Sequence, residues 1–352
     1  MDNPEVLFER RGAAGLITLN RPKALNALSH GMVLAMRAQL EAWAQDDAVT
    51  RVIVTGAGER AFCAGGDIRA LYDLGKAGRH AEALKFWADE YPLNTLIKTY
   101  RKPYIALIDG IAMGGGIGVS VHGSHRVAGD RCSFAMPEVS IGFFPDVGAT
   151  WFLPRMPGET GAYCALTGER FNAADGVACG LATQRVASAR FPELIEALTG
   201  TVSVDAVLGA FSEPAGEGPV TARRSAIDRL FKGDTVEDIL AALDHEAQST
   251  GADADWAAKT AATMRTKSPT SLKLALAQVR RGATCDFATC MRMEFRIVSR
   301  IVHDRDFYEG VRAVLVDKDN TPRWSPATLD AVSDDEIERH FAPLPDGDLA
   351  LS

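Results

Sequence analysis

Apolar residues near the start of the chain gather in short runs closed by turn residues. Residues 16–19 run apolar into Asn20-Arg21-Pro22, which reads as a strand entering a turn. Ser29 then opens a different period: Met32, Leu34 to Met36, Leu40 and Trp43 fall roughly on one helical face. Residues 52–55 form a second buried-type strand closed by Gly56 and Gly58. A helix is predicted over 68–74 with Asp67 at the N-cap position, and another from about His80 to Tyr100. Residues 104–109 are again strand-like. Alternating strands and helices place the chain in the α/β class. No fixed repeat in residue identity is evident. After about Val186 helical periods dominate, over 235–245, 256–267, 270–281 and 287–302, and 212–218 reads as a Gly/Pro-rich connector. The expected division is a catalytic core over residues 1–200 and a helical C-terminal region over 201–352.

Composition narrows the function classes. The 352 residues carry 38 basic and 46 acidic side chains, a net charge of −8, which argues against a nucleic-acid partner. It leaves an anionic ligand open, because peptide N–H groups bind phosphate without net positive charge. No run of about 18 apolar residues occurs, so no membrane span is expected. The opening MDNPEVLFER has neither a basic stretch before an apolar run nor an Arg/Ser-rich character, so no leader is expected. Six cysteines, none in CxxC spacing and most in apolar segments, read as reduced buried thiols and hence as a cytoplasmic protein.

Four segments carry candidate chemistry. Gly56-Ala57-Gly58-Glu59-Arg60-Ala61 matches a dinucleotide fingerprint by letter, but Phe62-Cys63-Ala64-Gly65-Gly66 follows where a helix and a later acidic strand end are needed. Gly65-Gly66 before Asp67-Ile68 leaves peptide N–H groups at a helix start, suited to an anion; the plainer reading is a tight loop. Gly114-Gly115-Gly116 is costly to order, which close approach of backbone to a ligand, or helix-to-sheet packing, accounts for. Residues 134–146 hold two carboxylates, Glu138 and Asp146, among apolar neighbours. Such surroundings disfavour the charged form and suit acid–base chemistry near neutral pH, an ordinary cap or surface carboxylate being the alternative. His122 and His125 form an HxxH pair without an evident third ligand, so no metal is expected.

In order along the chain, residues 20–28 (NRPKALNAL), the 64–68 loop, the 113–116 loop and Pro137-Glu138 resemble the crotonase (enoyl-CoA hydratase/isomerase) superfamily. That resemblance implies a spiral of ββα units with a helical C-terminal portion, and an oxyanion hole formed by the peptide N–H groups of Gly66 and Gly115. The hydratases of the superfamily carry two glutamates; the later matches Glu138, while the earlier falls on Gly118, which has no acid–base group. The chain is more similar to the 3-hydroxyisobutyryl-CoA hydrolases. They share Met136-Pro137-Glu138, residues 144–148, residues 120–123, Glu90-Tyr91 ahead of 102–104, and a C-terminal segment like 309–320 followed by Pro322 and Trp324. The resemblance implies hydrolysis of a short 3-hydroxyacyl-CoA thioester. Glu138 would serve as nucleophile or base, Asp146 would orient water or substrate, and Glu90 would meet the 3-hydroxyl. Ala64, Asp67 and Ile68 would lie at the adenine or pantetheine, and Lys23 near the phosphates. Coenzyme A would enter only as part of the substrate, with no separate cofactor, and a homo-oligomer is a possible partner state. Three alternatives stay open: a hydratase or isomerase using Glu138 alone, a catalytically silent acyl-CoA-binding protein, and a dinucleotide-dependent oxidoreductase.

Overall fold

The computed structural model describes residues 4–351. Met1, Asp2 and Asn3, the head of the stretch read above for a leader, and Ser352 lie outside the described residues. The chain forms two compact units, each assembled from separated segments. The first takes the chain up to Asp67, Asp89–Ala135 and Arg170–Thr221; the second takes Ile68–Ala88, Met136–Glu169 and the chain from Ala222 onward.

The first unit holds strands β1 (Val6–Arg11), β2 (Ala14–Leu19), β3 (Arg51–Gly56), β4 (Ala61–Cys63), β5 (Tyr104–Ile108), β6 (Ile111–Met113), β7 (His125–Ala128), β8 (Ser133–Ala135) and β9 (Gln184–Arg185). Six pair in the order β1-β2-β3-β5-β7-β9 and three in the order β4-β6-β8. Among these nine strands β1 runs antiparallel to β2 and the other strand pairs are parallel, with Leu16 beside Ile53 and Ile53 beside Ile105. All five residues of β5 are buried, the continuous apolar run expected of a covered parallel strand. Leu16, Ile53, Ile105, Leu107 and Val127 pack with Phe191, Leu194, Leu198, Val207 and Phe211 of the helices Phe191–Leu198 and Val204–Phe211. The helix His30–Gln45 begins at Ser29, whose Oγ accepts from Met32 N at 3.2 Å, as the sequence predicts.

In the second unit the helices expected late in the chain form as Val236–Ala247, Ala254–Arg265, Pro269–Gly282 and Phe287–Ile301. Trp87 stacks on Phe143 with ring centroids 5.6 Å apart, and Phe307, from the helix Arg305–Val311, lies 5.6 Å from Phe143. Two glycines let backbones meet there: a Cβ on Gly142 would stand 2.1 Å from Asp306 O, and one on Gly310 2.3 Å from the carbonyl carbon of Ile141. Among the described residues no helix is long and apolar enough to cross a membrane.

Candidate active site

In the first unit the NRPKALNAL stretch builds a loop that leaves the peptide N–H of Gly66 open. Leu25 and Asn26 both sit at positive φ, 53° and 57°. Asn26 is buried; its Oδ1 accepts from Arg21 N, and its Nδ2 donates to Ala57 O and Ala61 O, all at 2.9 Å. Leu28 N then donates to Gly65 O at 2.8 Å, and Asp67 N donates to Leu28 O at 2.9 Å. Gly66 lies between these bonds, and its own N–H donates to no acceptor among the described residues. Gly65 has φ 114°, which a residue with a Cβ rarely adopts.

After β6, Gly114 (φ 46°, ψ −121°) turns the chain into the four-residue helical segment Gly115–Gly118. Gly115 opens that segment, so its N–H has no acceptor within it, and none is found elsewhere among the described residues. A Cβ on Gly115 would stand 3.2 Å from Gly66 N, 3.1 Å from Leu28 Cδ1 and 2.7 Å from Glu90 Oε1. The peptide nitrogens of Gly66 and Gly115 and one carboxylate oxygen therefore converge on one spot, too tight as it stands to hold a methyl group. Glu90 reaches it from the helix His80–Lys98 and is 2% exposed.

In the second unit Pro137 ends an extended stretch and Glu138 opens the short helical turn Glu138–Ile141. The turn is held on several sides. Ser268 N donates to Val139 O at 3.3 Å, Lys267 Nζ donates to Ser140 Oγ at 2.9 Å, and a Cβ on Gly168 would stand 3.0 Å from Pro137 Cα. Glu138 is buried, and its Oε2 has no hydrogen-bond partner among the described residues. Burial pushes its proton affinity well above the usual carboxylate range, and the charges of Asp146 and then Glu294 push the same way.

Asp146 is also buried and opens a strained turn: Val147 lies at φ 53° and Gly148 at 91°. A β-branched residue at positive φ is an outlier that costs about 1–3 kcal/mol and persists only where its surroundings hold it. They do so through Glu294, fully buried on the helix Phe287–Ile301, whose Oε2 accepts from Gly148 N at 2.8 Å and Oε1 from Thr150 N at 2.9 Å. Gln278 Nε2 donates to Pro145 O just ahead of it. Burial, then the charge of Asp146, raises Glu294 to about 8.

A stability consequence follows from the raised acids. The unfolded chain releases these protons at ordinary carboxylate pH, whereas the folded chain holds that of Glu294 until about pH 8 and shifts that of Glu138 in the same direction. The folded state therefore binds the extra protons in between, and stability present below that window is lost as pH rises through it. The expected melting temperature falls between about pH 5 and pH 8. A calorimetric series showing it rising across that interval would contradict the assignment.

The structure brings Gly66, Gly115 and Glu90 together in the first unit, with Ala64 and Asp67 in the adjoining loop. Asp67 Oδ2 accepts from Arg21 Nη2 at 2.9 Å. Lys23 is exposed on the turn Pro22–Ala24. Ile68 opens the helix Ile68–Lys76 of the second unit, where Glu138 and Asp146 also lie. The dinucleotide fingerprint is a coincidence of letters: Gly56 ends β3, the chain enters β4 at Ala61, and no helix starts in between. His125 is held by Asp205 Oδ1 at 3.0 Å and Ser124 Oγ at 2.9 Å, while His122 is buried. All six cysteines are free, five of them buried, and burial pushes the Cys63 thiol up to about 12. Glu294 and Gln278 escaped the sequence reading. The one signal for each was a polar residue inside the apolar face of an otherwise regular helix.

From residue 14 to residue 341 the chain matches the family described as enoyl-CoA hydratase/isomerase. It is 45% identical over 99% of its length to the mitochondrial 3-hydroxyisobutyryl-CoA hydrolase of Danio rerio, covering 92% of that protein. Two solved structures superpose with TM-scores of 0.92. One, a carnitinyl-CoA dehydratase from Mycobacterium thermoresistibile, is 44% identical with 98% of each chain covered. The other, an enoyl-CoA hydratase from Rhodobacter sphaeroides 2.4.1, is 38% identical, covering 99% of this chain and 100% of that one. The expectation of a cytoplasmic protein is overturned by the first of these relatives, a mitochondrial enzyme by name. Reduced, buried thiols suit any reducing compartment and do not single out the cytosol.

Proposed function

The chain belongs to the enoyl-CoA hydratase/isomerase family, the crotonase superfamily, and from that premise we propose that it hydrolyses 3-hydroxyisobutyryl-CoA to 3-hydroxyisobutyrate and coenzyme A, a step of valine breakdown. The observation that carries this is the acid–base complement: Glu138 and Asp146 are present and buried, while the position of the hydratases' other glutamate is the buried Gly118. The whole-length similarity to a hydrolase of that substrate supports it.

In this reading the thioester oxygen accepts from the N–H groups of Gly66 and Gly115, which form an oxyanion hole. Their donors are fixed before reaction, so charge developing on the oxygen meets dipoles that need no reorganisation. Glu138 either attacks the carbonyl carbon, giving a mixed anhydride that water then opens, or takes a proton from the attacking water. Both routes break the C–S bond, form a carboxylic acid and deliver a proton to the leaving thiolate. A carboxylate whose proton affinity is raised toward neutrality suits either the taking or the return of that proton. Asp146 orients the water or the substrate hydroxyl, and Glu90 accepts from the 3-hydroxyl. Ala64, Asp67 and Ile68 meet the pantetheine or adenine and exposed Lys23 the phosphates; coenzyme A arrives with the substrate and no separate cofactor is required. Self-association into a homo-oligomer completes the proposal, and sedimentation of the purified protein tests it.

The deciding experiment is a thiol-release assay over a panel of acyl-CoA thioesters. Sites built around a substrate hydroxyl reject analogues lacking it, because buried polar groups are left unpaired. The expected kcat/KM for 3-hydroxyisobutyryl-CoA exceeds that for isobutyryl-CoA at least about tenfold. Equal rates on both leave a general acyl-CoA thioesterase. A second reading, hydration or dehydration, is favoured by the names of the two superposable structures. Crotonyl-CoA in the same panel tests it: loss of its absorbance at a rate matching thiol release would replace the hydrolase proposal.

A further inference from the structure

We propose that Glu294 is a positioning residue for the reaction, acting through the turn that carries Asp146. The proposal rests on the reading of Glu138 and Asp146 as the reacting acids. Glu294 sits within the helix Phe287–Ile301 with no exposed surface, and both its oxygens are committed to the backbone N–H groups of Gly148 and Thr150, at 2.8 and 2.9 Å. A fully buried carboxylate is not needed to close a loop that a neutral side chain could close. Here it spans the residues that follow Val147 and Gly148, both at positive φ, so it holds a conformation the chain would otherwise leave. Gln278 holds the preceding carbonyl, of Pro145, from the neighbouring helix Pro269–Gly282. Asp146 is thus gripped on both sides by side chains about 130 to 150 residues away in sequence.

Glu294 also completes a set of three buried carboxyl groups. The charges facing it are those of Asp146 and Glu138, with the thiol of Cys290 one turn away on its own helix. Glu294 keeps its proton up to about pH 8, so below that it faces Asp146 and Glu138 uncharged, and glutamine in its place alters the loop bonds without altering the charge there.

The test compares Glu294→Gln, Gln278→Met and Glu138→Gln by melting temperature and by kcat and KM across pH. A glutamine at 294 presents one oxygen and one NH2, so one of the two loop bonds is lost. The expected result for Glu294→Gln is a kcat lower by about tenfold or more, KM within about threefold, and the acidic limb of the activity profile left in place. Gln278→Met, which loosens the turn but keeps every charge, should lower kcat without moving that limb. A folded Glu294→Gln protein with native kcat overturns the proposal, as does a fall in kcat matched by a comparable rise in KM, which marks a merely structural side chain. If Glu294→Gln does not fold, Glu294→Asp decides: a fall in kcat at unchanged KM supports the proposal and native kcat overturns it. Near-native turnover in Glu138→Gln would bring down the underlying reading. Loss of turnover there with a native Glu294→Gln enzyme removes the role of Glu294 alone.

Discussion

Replacing Glu138 by glutamine is expected to lower turnover at least about a hundredfold while leaving the protein folded, the usual scale for removing a general acid or base. The two side chains have nearly the same shape, so the turn Glu138–Ile141 keeps its contacts with Ser268 and Lys267. The amide cannot take or return a proton and is a poor nucleophile, so both routes through this residue close. Stability should hold, and should improve toward alkaline pH, because glutamine removes a buried acid whose charged form is disfavoured. Thiol release by the purified variant, with its melting curve, checks both halves. A folded variant with near-native turnover would show that another group does the chemistry.

Gly115→Ala is expected to lower kcat by about a hundredfold to a thousandfold, the range seen when one oxyanion donor is lost. The added methyl would stand 3.2 Å from Gly66 N and 2.7 Å from Glu90 Oε1, beside the donors of the proposed oxyanion hole. The nearest atom is the end of the Glu90 side chain, which can move aside, so the fold can tolerate the change. Its neighbour makes the control: a Cβ on Gly116 would stand 2.1 Å from Cys63 O, a backbone atom that cannot move aside cheaply. Gly116→Ala should therefore lower the melting temperature markedly, whereas Gly115→Ala should lower it little. Assaying and melting the two variants together separates loss of function from loss of fold, and a native kcat in Gly115→Ala would remove the oxyanion-hole assignment.

Much of the fold is legible in the residues because parallel strands buried on both faces read as unbroken apolar runs. β2, β3 and β5 fall within one or two residues of their expected ends. β1 is not legible. Its sequence VLFERR turns polar halfway, its outer residues are exposed, and its place comes from pairing with β2. The short strands β4, β6 and β8 are three residues each, too few to carry a period. The glycine loops announced a backbone site because consecutive glycines need a reason; which N–H groups stay open depends on Asn26 and Leu28, whose roles appear only when the loop closes. The division at residue 200 follows the change to helical periods after about Val186, a local signal that carries no information on which separated segments pack together. Glu294 was hidden for a related reason: a lone acid in a helix reads as a solvated face until its partners, far away in the chain, are known.

The long separations inside the second unit bear on how the protein is made. Phe143 packs on Phe307, and of the two glycines that let the backbones meet, Gly310 comes late in the chain. During synthesis the turn carrying Glu138 leaves the ribosome well before these partners exist, and Gly148 waits equally long for Glu294. Until the last fifth of the chain emerges, that stretch lacks Phe307 and Glu294 and has only its earlier contacts, with Trp87, Lys267, Ser268 and Gln278, to hold it. A nascent chain halted before Arg305 is therefore expected to be a client for chaperones and proteases rather than a weak enzyme, and the reactive turn is among the last parts of the molecule to set.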